Sequence, residues 1–257
     1  MNVLLAAFYT PGIRAIEHLI QAGFRPEQVR LLTHDVDRNQ ALLTFARAHG
    51  IETQTFSVKS TEAHEWIAQF QPQVLFSLYF ADVIPQAILD IPALGGVNLH
   101  PALLPRYRGT FSAPWVIING EESTGFTYHY MLTEVDAGNI VLQRGVAIKS
   151  NDTAYSLYHR LIMEGMEGFG EAFRLVVKER YLGEPQVGES SYYLRELPFG
   201  GYIDPRWPRD QIHRFIRAMY FPPFKGALVR LIDGEEREIL HLEEYDALAA
   251  TGSVKSA

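Results

Sequence analysis

The chain has 257 residues, 30 acidic against 23 basic side chains for a formal charge of −7, and no cysteine. That balance excludes disulfide frameworks, thiolate metal sites and cysteine nucleophiles, and it speaks against nucleic acid as a partner, because phosphate binding rests on a surplus of Lys and Arg. A hydrophobic fraction of 47% supports a sizeable core, while the longest apolar run, residues 3–8, is too short to cross a bilayer. The start of the chain has no basic region of the kind that opens a signal peptide, so a cytoplasmic protein without membrane attachment is expected.

In chain order, residues 3–9 form an unbroken apolar run, the mark of a parallel strand buried on both faces. Thr10 offers an N-cap and Pro11 a first helical position, followed by Ile13, Ile16, Leu19 and Ile20 at helical spacing. Residues 29–33 predict a second strand and 39–49 a second helix, ended by Gly50. A strand at 53–56, a helix at 61–70, strands at 74–78 and 96–99 and a helix at 112–118 continue the alternation. This pattern predicts an α/β fold: a Rossmann-like, twisted, mostly parallel sheet with helices on both faces.

The rhythm then changes. Strands at 123–132 and 140–147 flank Thr133-Glu134-Val135-Asp136-Ala137-Gly138, and one long helix is expected at 153–178, with Asp152 as its cap. Beyond Gly183 the chain is rich in Pro, Gly and aromatics, so a boundary is placed there. Residues 1–183 are expected to form the main domain and 184–257 a small α+β addition. The addition is read as a helix at 210–219 and a hairpin of 227–232 with 237–242 across Asp233-Gly234-Glu235-Glu236.

The informative stretch runs from Gly95 to Gly109 and reads GGVNLHPALLPRYRG. Asn98 and His100 are two apart at the C-terminal end of a predicted strand, so both leave the same face, at the end where open α/β sheets hold ligands. A carboxamide stabilises a developing oxyanion and an imidazole manages protons near neutral pH, which suits acyl transfer. A third group is needed to orient the imidazole, and Asp136 is the natural candidate. Arg106 and Arg108 in the loop that follows read equally as structural or as ligand contacts. No metal is expected: His64-Glu65 lacks a second His four residues after the first.

NLHPALLPRYRG followed by TEVDAGNIV resembles the folate-dependent formyltransferase family over residues 1–180. Asn98, His100 and Asp136 match its catalytic Asn, His and Asp. The resemblance implies N10-formyltetrahydrofolate as donor. It also implies a pterin pocket lined by Tyr79, Phe80, Ala81, Asp82, Val83 and Ile84, with Val135 from the later loop. Three branches of the family compete. Only about 75 residues follow Gly183 and the chain is acidic, against a methionyl-tRNA enzyme. The segment Phe8-Tyr9-Thr10-Pro11-Gly12 departs from the phosphate loop of the glycinamide ribonucleotide branch. The block YFPPFKGA looks like the segment of sugar N-formyltransferases that act on nucleotide-linked amino sugars. It makes Arg214, Tyr220, Phe221, Phe224 and Lys225, with Tyr9, the acceptor residues. Aromatic faces suit a base and cations a diphosphate. The resemblance leans toward a dTDP-linked amino deoxysugar used in bacterial surface polysaccharides, with UDP open, and toward a homodimer. Another amine formyltransferase of the family and a formyltetrahydrofolate hydrolase are the competing readings.

Overall fold

The computed structural model describes residues 1–255. The chain begins with β1 (Val3–Ala7), α1 (Tyr9–Gln21), β2 (Val29–Leu32), α2 (Gln40–Ala48), β3 (Glu52–Gln54), α3 (Thr61–Phe70), β4 (Val74–Leu78), α4 (Gln86–Leu89) and β5 (Gly96–His100). It continues through β6 (Arg108–Gly109), α5 (Ser112–Ile118), β7 (Ser123–Tyr130), β8 (Ile140–Ala147), α6 (Ala154–Glu167) and α7 (Phe169–Val177). The last elements are β9 (Tyr192–Tyr193), α8 (Arg209–Met219), β10 (Ala227–Arg230), β11 (Glu236–Ile239) and α9 (Leu242–Ala250).

Seven strands form one sheet in the order β3-β2-β1-β4-β5-β7-β8. β3, β2, β1, β4 and β5 run parallel, and β7 turns antiparallel against β5. The strand order reverses between β1 and β4, which opens a crevice at the C-terminal strand ends. β1 and β4 have no exposed residue because each has a strand on both sides and helices over both faces. Alternation along β1 sends Val3, Leu5 and Ala7 into one core cluster, with Phe76, Tyr128 and Phe169, and Leu4 and Ala6 into another, with Ile67 and Ile88. Truncating a side chain as fully buried as Phe76 costs about 3–5 kcal/mol.

The chain forms two compact, interleaved units. Unit 1 comprises residues 1–100, 126–144 and 162–188; unit 2 comprises 101–125, 145–161 and the chain from Glu189 on. Unit 2 has its own core, in which α8 buries Ile212, Phe215, Ile216 and Met219 at three- and four-residue spacing. The hairpin β10–β11 contributes Val229 and Ile239 to it.

Three local expectations are corrected. α1 starts at Tyr9, ahead of Thr10, with Phe8 at the cap position and no side-chain cap. The single helix expected at 153–178 is two, α6 and α7, interrupted at Gly168, where an added Cβ would lie 2.9 Å from the Phe126 ring. Asp152 does not cap it; Thr153 Oγ1 accepts from the Ser156 amide, while Asp152 accepts from the Lys149 amide, Ser156 Oγ and Arg160. The hairpin strands are shorter than expected, and α9 follows them unforeseen. Among the described residues no helix is long and apolar enough to cross a membrane.

Candidate active site

Unit 1 brings Asn98, His100 and Asp136 together at the C-terminal end of β5. The antiparallel register sets Asn98 opposite His129 and His100 opposite Thr127 on β7. Asp136 reaches back from the loop between β7 and β8, and its two oxygens face two imidazoles. Oδ2 lies 3.3 Å from His100 Nδ1 and Oδ1 lies 3.2 Å from His129 Nε2. His100, His129 and Asp136 are buried, and Asn98 is half-buried. His129 Nδ1 donates to the Tyr130 carbonyl oxygen at 2.8 Å, which fixes the proton on that nitrogen. Its Nε2 therefore either takes the Asn98 amide, 3.3 Å away, or carries a second proton toward Asp136. His129 Nε2 thus stands within reach of both the carboxamide and the carboxylate, bonding the one as acceptor or the other as donor. Nδ1 of His100 is the ring nitrogen turned to Asp136.

The Asp136 loop is held rigidly. Asp136 has φ 55°, in the left-handed region that short polar residues tolerate best. Gln186 Nε2 donates to the Asp136 and Gly138 carbonyl oxygens at 2.7 and 2.9 Å. Gly138 is required by a close approach, since an added Cβ would sit 1.9 Å from the Tyr130 carbonyl oxygen.

The loop after β4 lies in the same unit. Among the described residues the backbone of Phe80 to Ile84 makes no backbone hydrogen bond, so its amides and carbonyls are available to read the edge of a planar ring. Tyr79 enters the loop with φ 58°, Val83 is exposed, and the Ile84 side chain is buried in the core. Asp82 Oδ2 lies 2.9 Å from His34 Nε2. Val135 is half-buried next to Asp136. Tyr9 accepts no cap role; its amide donates to Asn39 Oδ1 at 3.0 Å, and Arg38 lies over its ring. Burial pushes the Tyr9 phenol up, partly offset by Arg38.

The remaining expected residues lie in unit 2. Phe221 sits half-buried in an aromatic nest with Tyr155, Tyr158 and His159, at centroid distances of 5.5, 5.4 and 6.3 Å. Phe224, 6.3 Å from Phe221, is 64% exposed, and Lys225 is exposed. Tyr220 accepts the Tyr155 amide through its carbonyl oxygen. Arg214 is engaged by Asp210 and by the Ile118 carbonyl oxygen. Arg217 differs: Nη1 donates to the Asp152 carbonyl oxygen at 2.7 Å, but Nε is buried with no hydrogen-bond partner. Burial lowers the Arg217 pKa, countered by Asp152. Arg217 Nε thus keeps hydrogen-bonding capacity within the fold, whereas Arg214 is held by a carboxylate. Arg106 is structural, bonded to Glu121, which also accepts from Tyr107, whose hydroxyl is pushed up to about 12 by burial and by that carboxylate.

Sequence reasoning missed His129 and Gln186. The signal for His129 was present: it is a titratable residue in a strand that flanks the loop of Asp136. Among the described residues no cluster of three or more His, Asp or Glu is arranged to hold a metal.

Residues 25–173 match the model of the formyl transferase family. A GDP-perosamine N-formyltransferase of Brucella melitensis biotype 1 is 43% identical over 248 residues, covering 96% of this chain and 95% of that one. The chain therefore belongs to the formyl transferase family, in its sugar N-formyltransferase branch. Among solved structures, the N-formyltransferase from Helicobacter canadensis in complex with folinic acid and dTDP-3-aminofucose has a TM-score of 0.75 at 25% identity, covering 88% of this chain and 82% of that one. A 4-N formyltransferase from Francisella tularensis shares the fold, with a TM-score of 0.74 at 19% identity over 93% of this chain and 96% of that one.

Proposed function

We propose that this enzyme transfers a formyl group from N10-formyltetrahydrofolate to the amine of a nucleotide-linked amino sugar, with Asn98, His100 and Asp136 as its catalytic residues. The observation that carries the reading is the buried cluster in which Asp136 is gripped between His100 and His129 while Asn98 is tied to the same imidazole. Such preorganisation is what oxyanion stabilisation requires, because the donors need not reorient as charge develops.

The chemistry follows from these positions. The acceptor amine, in its free-base form, adds through nitrogen to the formyl carbon, and the carbonyl electron pair moves to oxygen. Asn98 Nδ2 and His100 Nε2 donate to that oxygen, and Asp136 holds the His100 ring and receives the proton that the amine loses. The carbon–N10 bond then breaks, its electron pair stays on N10, and the proton is returned there. The donor lies along Tyr79 to Ile84, where the unpaired backbone of Phe80 to Ile84 suits a pterin edge. The relative with a GDP-linked substrate in its name is 43% identical, whereas the solved structure holding a dTDP sugar is 25% identical. We therefore read the acceptor nucleotide as GDP-linked in preference to dTDP. Phe221, Phe224, Lys225 and Arg217 are the unit 2 residues whose chemistry suits a base and a diphosphate, and Tyr9 stands at the start of α1, just after the C-terminal end of β1.

Incubating the protein with N10-formyltetrahydrofolate and GDP- or dTDP-linked amino sugars, read by a mass gain of one formyl group, tests this directly. Transfer to no nucleotide sugar, with formate release instead, would replace it by a hydrolase. A homodimer is part of the proposal: Leu194, Leu197 and Ile232 of unit 2 are large apolar side chains more than half exposed. Sedimentation at micromolar concentration with a monomeric mass removes that part.

A further inference from the structure

Unit 2 contains a cleft of about 460 Å³ that shares no lining residue with the segment Tyr220 to Lys225. Phe199, Tyr202, Trp207, Asp204, Arg230 and Lys255 line it. The volume lies in the range of small-molecule sites, which take roughly 300–1,000 Å³. From this lining we infer a second nucleotide site, one that binds a nucleoside phosphate apart from the acceptor site; the separation from an acceptor site rests on the function proposed above.

Three observations carry it. First, the cleft presents aromatic faces. Trp207 packs edge-on against Phe199 and Phe215, at centroid distances of 4.9 and 5.1 Å, which fixes its ring. Second, Phe199 is displayed at a conformational cost. It is 52% exposed and has φ 51°, and Gly200 and Gly201 follow it with φ 64° and 85°. A left-handed backbone disfavours an aromatic residue, yet it sets the Phe199 ring against Trp207 and the buried Phe215 while leaving half of it open to the cleft. Third, the charges complement a phosphate. The Arg230 guanidinium stacks 4.1 Å above the Tyr202 ring, and its nearest carboxylate, Glu236, is 3.9 Å away and also accepts from Tyr202 Oη. The Lys255 amide donates to the Arg230 carbonyl oxygen, which sets the two cationic residues side by side. The one acid of the lining, Asp204, is neutralised by Arg206, which holds its carboxyl at about 2. A ring platform beside two cations matches a base and its phosphates.

Calorimetric titration of the full chain with GDP, without any folate, tests the inference independently of formyl transfer. The expected result is two binding events per chain. Arg230→Ala with Lys255→Ala weakens one of them at least tenfold, and kcat at saturating acceptor is unchanged. Trp207→Leu abolishes the quenching of indole fluorescence by GDP, with circular dichroism as the folding control. A single binding event in the wild type overturns the proposal, as does a second event untouched by the Arg230 and Lys255 changes. Loss of GDP binding together with turnover makes the cleft part of the acceptor site. Pyrophosphate competing as well as GDP reduces it to an anion site without base recognition. A change of sedimenting mass in these variants, with GDP binding intact, assigns the cleft to a second copy of the chain.

Discussion

The polar cluster of unit 1 and the aromatic–basic segment of unit 2 are built on opposite terms. In unit 1 the cluster around Asp136 finds its partners within the fold: Asp136 lies between two imidazoles, His129 Nδ1 bonds a carbonyl, and the loop carbonyls are held by Gln186. In unit 2 the same accounting leaves Arg217 Nε buried without a partner and the Phe224 ring open. The difference teaches what each region is for. A group that must hold geometry through a reaction is locked by its neighbours, whereas a group that must bind is left with unfilled capacity that a ligand completes. The expected donor loop of unit 1 follows the second pattern, with the backbone of Phe80 to Ile84 unpaired and His34 Nδ1 buried without a partner.

The largest effect that tests this contrast lies in the locked cluster. Asn98→Ala is expected to cost about 2.7–4 kcal/mol in the transition state, a loss of roughly 10²–10³ in kcat. His100→Ala and Asp136→Ala fall at least as far, with circular dichroism unchanged. Single-turnover kinetics with near-wild-type rates for any two of the three would dismantle the assignment. His129→Phe, which removes one grip on Asp136, lowers kcat less than His100→Ala and leaves the acceptor KM alone; an unchanged kcat would show that the second imidazole is idle.

Gly138→Ala attacks the support of the cluster instead of its chemistry. The added methyl meets the Tyr130 carbonyl oxygen at 1.9 Å, so the loop that carries Asp136 must shift. Overpacking of this kind costs about 1–3 kcal/mol of stability. Turnover is expected to fall with it, while the acceptor KM moves little; denaturant unfolding and steady-state kinetics separate the two effects.

In the open segment the expectation is reversed. Phe224→Ala raises the acceptor KM by the equivalent of about 1–3 kcal/mol, the range for losing a base–aromatic stack, and spares kcat because such contacts are nearly equal in ground and transition states. Arg217→Gln acts in the same direction, more strongly at low salt if the partner is a phosphate. Phe221→Ala adds a loss of stability, since its ring is part of the nest with Tyr155 and Tyr158. A kcat defect in Phe224→Ala with unchanged KM would erase the distinction between the two regions.

The smallest effect concerns pH. His18 packs edge-on against Phe169 and Phe173, and burial lowers its pKa below the ordinary 6.5. The unfolded chain then takes up a proton that the fold resists, so stability is lost as pH falls below about 6.5. Tm measured from about pH 7.5 to 5.5 should decline, and less steeply in His18→Phe. An identical slope in that variant would leave the decline to other groups.

Much of unit 1 was legible in the sequence because its signals are local. The apolar runs of β1 and β4 declare strands covered on both faces, and α3 and β4 fall on the residues their periodicity indicated. Asn98 and His100 declare themselves by a spacing of two on one strand. His129 did not, because its partnership arises from the antiparallel register of β5 with β7, a choice made 31 residues away in the chain.

The sequence by itself determined the alternation, the apolar faces and the residue types of the site, since those follow from backbone periodicity and side-chain chemistry. Only the tertiary structure decided which of those residues meet. Hydrophobic patterning along 153–178 is continuous, yet the Phe126 ring leaves no room for a Cβ at Gly168 and the helix divides there. Arg214 and Arg217 lie one turn apart on α8 with the same chemistry. Asp210, four residues before Arg214, engages the first, while the fold delivers only a carbonyl oxygen to the second. Charge is written in the sequence, but whether a charge is already satisfied depends on what the packed chain brings within hydrogen-bond reach.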